Sequence, residues 1–508
     1  MPTTDNFLQE IKDGYNFKGD HVKIGCGMLN GSVVPDADIS LPLKTMNRHG
    51  LIAGATGTGK TKTLQVISEI LSNASIPVLL MDIKGDLSGI GAPGVLNDKI
   101  AARNKILNLP FNPTAFPIEF LSLSGEKGIR LRATVSEFGP ILLSKILGLN
   151  DTQSGLVAMI FKYCDDHKYP LLNLPDFIKV LQYVSNEGKD ELQKEYGQVS
   201  AASTGTILRK VVELQQQGAD IFFGEPSFEI DDLIRINDDG RGMVNILRVT
   251  DMQEKPKLFS TFMLQLLAEL YATMPEVGDQ DKPKFVLFID EAHLLFSEAT
   301  SVLLQHIETI IKLIRSKGVG VFFCTQNPQD IPASILAQLG MKVQHALRAF
   351  TAADRDTIKK AAQNFPETAY YKTEDLLTQM GIGEAFITFL NEKGIPTPLV
   401  HTMIRPPESR MDILSDVEID AIVAKSKLVA KYNREIDSQS AYEILNDKIE
   451  TAAQQTKENT TSKTTTKETS FFDNSTVKQV GRTAASIITR SLLGALGLGG
   501  RSKVKKWF

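Results

Sequence analysis

Apolar residues along this chain fall into short continuous runs separated by glycine-rich and polar joints, a pattern that predicts a layered α/β core. Residues 50–54 (GLIAG) form an apolar run that ends in glycine. Residues 61–71 repeat with helical period, and 77–81 (PVLLM) lead into Asp82. Strand, glycine loop, helix and strand within about 35 residues make a βαβ unit, and hence a parallel sheet. Residues 118–123 and 130–135 read as a short strand pair. Helical periods follow at 141–147, 155–164, 176–184 and 201–217. Alternation then resumes, with strands at 242–249, 285–289 and 320–325 and helices at 257–274 and 301–316. FVLFI and GVFFCT are unbroken apolar runs, as strands buried on both faces require.

These patterns divide the chain into seven stretches. An N-terminal segment, 1–45, is punctuated by Gly25, Gly27, Gly31 and Pro35 and predicts little regular structure. The first part of an α/β core spans 46–110, a mainly helical insertion 111–240, and the second part of the core 241–405. After Pro406-Pro407 a charged helical extension runs to 450. Residues 451–473 read as a linker, since 451–470 hold eight threonines. The last stretch, 474–508, is basic and partly apolar. No repeat of solenoid period is found.

A chain of 508 residues exceeds one small domain, and 42% hydrophobic with 23% charged residues is ordinary for a globular protein. Cys26, Cys164 and Cys324 are far apart and form no CxxC pair, which argues against a zinc site or a disulfide framework and fits a reducing compartment. The first twenty residues carry Asp5, Glu10 and Asp13 and no apolar core of a secretory signal, and no window is long enough to span a bilayer. A cytoplasmic location is expected. The net charge of −4 conceals an asymmetry. Residues 474–508 hold seven cations and no carboxylate, so residues 1–473 total −11. Any nucleic-acid contact of the body must therefore come from local patches.

Gly54-Ala55-Thr56-Gly57-Thr58-Gly59-Lys60-Thr61 fits GxxxxGK[ST]. Glycines let backbone amides wrap a phosphate, and the following helix presents its positive end. Lys60 is expected on the β- and γ-phosphates and Thr61 on Mg²⁺ through its hydroxyl. Thr63 joins these residues in the nucleotide-binding set. A P-loop also needs an acid at the end of a neighbouring buried strand, and FVLFI followed by Asp290-Glu291 supplies it. Asp290 is the candidate magnesium ligand, and Glu291 the residue that polarises the attacking water. Gln326 ends another buried strand, where its side chain could sense a γ-phosphate. Arg48 precedes the P-loop strand and could also approach phosphate. The string Asp290-Glu291-Ala292-His293 spells a helicase box, but no Ser-Ala-Thr or QxxGRxGR segment follows. There is also no NKxD and no LSGGQ.

RHGLIAGATGTGKT, VLLMDIKGD, FVLFIDEAH and RSKGVGVFFCTQNPQDIP together resemble the HerA–FtsK superfamily of P-loop ATPases. More narrowly, the chain is similar to the HerA-like bacterial family that includes YjgR, through LNDTQSG at 149–155, FFGEP at 222–226 and VQHALRAFT at 343–351. The resemblance implies a RecA-like core that hydrolyses ATP with Mg²⁺ and assembles as a ring, usually a hexamer, with nucleotide at subunit interfaces. It places Lys60, Thr61, Asp290, Glu291 and Gln326 at motif positions and matches Arg48 to an arginine before the P-loop strand. A ring ATPase also needs an arginine from a neighbouring subunit, for which Arg315 and then Arg348 are the candidates. Two departures stand out. Asp82-Ile83-Lys84-Gly85-Asp86 replaces a DPHGE-like run, leaving Asp82 and Asp86 as either functional acids or plain strand-end acids. Only about 45 residues precede the P-loop strand, so the N-terminal barrel of HerA proteins is expected to be absent or much reduced.

The function expected is a ring-forming ATPase motor of helicase or translocase type on double-stranded DNA. The alternative is a ring ATPase that acts on a protein partner or serves as an ATP-controlled switch. Residues 99–105 and 127–132 are candidate basic contacts. The apolar tail segment 486–498, followed by Arg501, Lys503, Lys505 and Lys506, suits docking into its own ring or a protein partner. The same features also suit a membrane-surface or nucleic-acid contact.

Overall fold

The computed structural model describes residues 3–461, apart from 279, 297, 298, 300, 435 and 437. The tail, and the linker beyond 461, lie outside the described residues. The chain forms two compact units. The first comprises the described residues up to Arg130, Glu229–Phe259 and Thr273–Asn433. The second comprises Leu131–Phe228, Ser260–Ala272 and the described residues from Arg434 on.

The first unit holds a twelve-stranded sheet. Its strands are β1 (His21–Leu29), β2 (Ser32–Pro42), β3 (Gly50–Ala53), β4 (Val78–Asp82), β5 (Ile118–Ser122), β6 (Ile129–Arg130), β7 (Val244–Arg248), β8 (Phe285–Ile289), β9 (Val319–Thr325), β10 (Met341–His345), β11 (Glu384–Thr388) and β12 (Val400–Ile404). Their order is β2-β1-β12-β11-β10-β3-β9-β8-β4-β7-β5-β6. From β10 to β6 every pairing is parallel, and from β10 to β2 every pairing is antiparallel. Strands β3, β4, β8 and β9 are buried along their whole length, which is why they read as unbroken apolar runs. This is the mainly parallel RecA-like core the resemblance implies.

Three expectations need correction. Residues 1–45 are well structured. Thr3 caps the helix Thr4–Gly14 through the Asn6 amide, and Phe7 and Ile11, one turn apart, are buried. Then β1 and β2 form a hairpin whose turn, Asn30-Gly31, has φ of 53° and 78°. Positive φ at both positions is the type I′ turn that Asn-Gly favours, because its twist matches that of the strands. Second, residues 118–130 do not belong with the helical insertion, since β5 pairs with β7 in the main sheet. Of the second proposed strand, 130–135, only Arg130 falls in a strand of the sheet, the two-residue Ile129–Arg130. Thr134 and Glu137 make a capping box that starts a helix at Val135. Third, the helix Ala441–Thr461 runs through the first part of the threonine-rich linker. Its AAQQTKEN stretch is rich in good helix formers, which outweigh scattered threonines.

The second unit is mainly helical, and Asp151–His167, Leu174–Ser185, Lys189–Tyr196, Ala201–Gln216 and Ala441–Thr461 are among its helices. Asp176, fully buried, accepts from the amides of Leu172 and Tyr442 and from the Ser440 hydroxyl. That anchors the start of the helix Ala441–Thr461 within this unit. No helix among the described residues is long and apolar enough to cross a membrane.

Candidate functional site

Strands β10, β3, β9, β8 and β4 are parallel neighbours, so their C-terminal ends share one edge of the sheet. Ligands of open parallel sheets bind outside that edge. The loops leaving it carry the P-loop after β3, Asp290-Glu291 after β8, Gln326 after β9, Asp82 to Asp86 at the end of β4, and Arg348 beyond β10.

The P-loop turns on Gly57 and Gly59, at φ 78° and 111°, and opens the helix Lys60–Asn73. Its base is tied to both neighbouring strands. The Gly54 amide donates to the Thr325 carbonyl on β9, and the Ala55 amide to the Ala346 carbonyl beyond β10. These two amides are therefore committed to the sheet. The amides of Thr56, Gly57 and Gly59, with those of Lys60 and Thr61 in the first helical turn, are left to face an anion. Thr58 is buried and donates its hydroxyl to the Ala55 carbonyl at 2.7 Å. Lys60 is buried and reaches across the loop to the Gly54 carbonyl at 3.3 Å. Behind the loop, the Gly383 amide donates to the Thr58 carbonyl, and a Cβ on Gly59 would stand 2.9 Å from that amide nitrogen. Glycine at 59 is needed for both its φ and this close approach.

Thr63 departs from expectation. Its buried hydroxyl lies 2.9 Å from Nε2 of His345, whose Nδ1 lies 2.9 Å from the Glu384 carbonyl. A carbonyl can only accept, so Nδ1 carries the proton and Nε2 accepts from Thr63. Burial pushes the His345 pKa down to about 4, so the ring is neutral. Thr63 is thus committed to the sheet and offers no hydroxyl to nucleotide.

Asp290 and Glu291 lie beside Lys60. Burial and the Glu291 charge raise the Asp290 carboxyl to about 6, against the opposing charge of Lys60. Glu291 has a φ of 44°, a left-handed conformation that costs a non-glycine residue roughly 1–2 kcal/mol. Strain of this kind is commonly held where a side chain must be aimed. Its carboxylate is almost wholly buried, with Lys84 Nζ 2.5 Å from Oε1 and His293 Nδ1 3.3 Å from Oε2. The lysine contact is close but lacks hydrogen-bond alignment. Burial pushes the Glu291 carboxyl up, but Lys84, Lys60 and His293 together hold it below the usual glutamate range.

Asp82, next to this pair, is spent on its own turn. Its carboxyl accepts from the amides of Asp86 at 3.1 Å and Leu87 at 3.3 Å. Burial, with Asp86 and Asp290 nearby, raises it to about 7. The geometry favours the strand-end reading of Asp82.

Gln326 is exposed at the end of β9, beside the P-loop strand. Arg348 is exposed two residues beyond Ala346, on the same edge as its own P-loop. Arg48 and Arg315 are elsewhere. Arg48 precedes β3 and Arg315 precedes β9, so both sit at the opposite edge of the sheet. Four residues of strand, at roughly 3.3 Å each, put Arg48 about 13 Å from the P-loop end. Arg48 cannot contact phosphate held by its own P-loop, which corrects that expectation. Arg315 is exposed and close enough to His49 to help burial lower that ring to about 4.

The donors suit a magnesium nucleotide. Asp290 and the half-buried Thr61 hydroxyl are oxygen donors at one edge. Magnesium beside phosphates takes only one or two protein oxygens and keeps several waters. Asp290 is a carboxyl that such a charge would ionise. Those two residues would hold the ion, which when bound neutralises phosphate charge.

Sequence reasoning missed Lys84 and His345. Lys84 follows a buried strand-end aspartate by two residues, and His345 ends the strand beside the P-loop. Both lay within motif blocks already singled out.

Residues 28–471 match the helicase HerA-like C-terminal family. The DNA double-strand break repair helicase HerA of Sulfolobus acidocaldarius is 23% identical over 377 residues, 73% of this chain and 67% of that protein. Its counterpart from Sulfurisphaera tokodaii is 24% identical over 367 residues, 72% and 66%. This chain spans about two thirds of the length of these relatives. Among solved structures, the bacterial conjugative coupling protein TrwBdeltaN70 matches with 14% identity and a TM-score of 0.49, over 80% of this chain and 94% of that one. The family match runs through the P-loop, both acidic strand ends and β12, and this chain belongs to the helicase HerA-like C-terminal family.

Proposed function

We propose that the protein is a ring-forming, magnesium-dependent ATPase that moves double-stranded DNA. The observation that carries the hydrolytic part is the meeting of Lys60, Asp290 and Glu291 at the P-loop edge, with Glu291 aimed by a left-handed backbone. Lys60 and the loop amides bind the phosphates, and Asp290 and Thr61 hold the magnesium ion. Glu291 takes a proton from the water whose oxygen bonds to the γ-phosphorus as the bond to the ADP oxygen breaks.

The position of Arg48 and Arg315, on the edge opposite their own P-loop, supports assembly. In a head-to-tail ring, of six copies if the family resemblance holds, that edge of one copy can meet the nucleotide of the next. Arg315 is the first candidate for the arginine acting in trans, and Arg348, on the nucleotide edge of its own chain, is now the weaker one. DNA as substrate is supported by the repair helicases and by the 26% identical DNA import protein CedB of Sulfolobus acidocaldarius. The net charge of −11 on residues 1–473 favours the second reading, a ring ATPase acting on a protein partner.

ATP turnover with and without linear duplex DNA separates the two. The motor reading expects stimulation that weakens as salt rises. Unstimulated turnover, with no salt-sensitive DNA binding by the assembled ring, rejects it. Lys60→Ala and Glu291→Gln should each abolish turnover, and a Glu291→Gln variant with normal turnover refutes the catalytic assignment.

A further inference from the structure

Lys84 stands apart from the other charged residues at the nucleotide edge, because nothing in the P-loop chemistry requires it. The turn that carries it is built without its side chain. The Asp82 carboxyl holds the Asp86 and Leu87 amides, and Gly85 supplies the positive φ of 74°. Parallel pairing of β4 with β8 sets Met81 opposite Ile289, so the residues leaving these two strands emerge side by side. The Lys84 ammonium, about one-third exposed, is thereby delivered 2.5 Å from an oxygen of Glu291, whose side chain is 4% exposed. A surface ion pair constrains little. Here one partner is buried, and its carboxylate has few ways to stay put: Lys84 on one oxygen and the more distant His293 on the other.

We propose that Lys84 is a positioning residue for hydrolysis, fixing the Glu291 carboxylate from the β4 side so that its second oxygen faces the attacking water. This rests on the reading of Glu291 as the proton acceptor. Lys84 enters no bond-making step. The proton of the water passes to Glu291 while the lysine stays on the other oxygen. A carboxylate released from that contact can rotate away from the water, and misplacement by about 1 Å costs on the order of 100-fold in rate.

The test uses the full-length protein and steady-state ATP turnover, with binding of a non-hydrolysable ATP analogue measured in parallel. Lys84→Ala is expected to lower kcat roughly 10- to 100-fold, with analogue affinity unchanged within about twofold. Lys84→Arg, which keeps a cation at the same turn, is expected to recover most of the loss. Unchanged kcat in Lys84→Ala, an equal fall in analogue affinity, or no recovery with arginine overturns the proposal. If Glu291→Gln itself turns over normally, the reading of Glu291 fails. If Glu291→Gln is inactive and Lys84→Ala is normal, only the role of Lys84 fails.

Discussion

The contact between Thr63 and His345 makes a prediction that separates a structural from a ligand-binding threonine. Replacing His345 with leucine removes an acceptor from the buried Thr63 hydroxyl and a donor from the Glu384 carbonyl. Each unsatisfied buried group costs about 1–3 kcal/mol. The hydroxyl has partial relief, because a helical threonine can turn to the carbonyl four residues back. The expected cost of His345→Leu is therefore about 2–4 kcal/mol, and of Thr63→Val alone about 1 kcal/mol. The double variant removes both members of the pair, so it should cost at least about 1 kcal/mol less than the sum of the singles. Thermal unfolding of the nucleotide-free protein measures the four corners of the cycle, each variant being compared with the others rather than converted to an absolute stability. ATP-analogue affinity of Thr63→Val should stay within about twofold of wild type. Additive singles would show that the pair is not coupled, and a large affinity loss in Thr63→Val would return Thr63 to the nucleotide set.

Stability without magnesium or nucleotide should fall as pH rises from about 6.5 to 8. Glu69 and Asp82 stand near 7, so the folded state binds more protons than the unfolded state across that window, and stability is lost as pH passes through it. His49 and His345, lowered to about 4, act in the opposite sense, but only below about 6.5. Thermal midpoints across this range check the sign, Glu69→Gln should flatten the slope, and a rise would contradict it. Arg315→Ala should abolish turnover on its own but regain part of it when mixed with Lys60→Ala, because mixed rings contain intact composite sites. No recovery in co-assembled rings argues against action in trans.

The parallel core was legible because it is written locally. The P-loop, FVLFI and GVFFCT are contiguous patterns, and parallel strands with both faces covered leave an unbroken apolar trace. Asn30-Gly31 is equally local, a hairpin signal between apolar runs, but the glycines around it, taken alone, predict irregular structure. Other features could not be read along the chain at all. Thr63 and His345 are 282 residues apart, and Lys84 meets Glu291 only because β4 pairs with β8. Arg48 was misplaced for a related reason. Closeness in sequence to a P-loop says nothing about which end of the strand a residue occupies, and four residues of strand suffice to move it to the other edge.

The two ends of the sheet bear on how copies meet. An open sheet invites another chain to add a strand along its free backbone, the route to domain-swapped and fibrous assemblies. Here one outermost strand, β6, is two residues long, too short to template anything. The other, β2, is long but interrupted, with Pro35 as its fourth residue, a left-handed Asp36 and breaks in its register with β1 between Lys23 and Gly25 and between Cys26 and Met28. Neither border offers a straight run of unpaired amides and carbonyls. If copies assemble as proposed, these two borders leave the contacts to loops and side chains, which can form and release during turnover without tearing a continuous sheet.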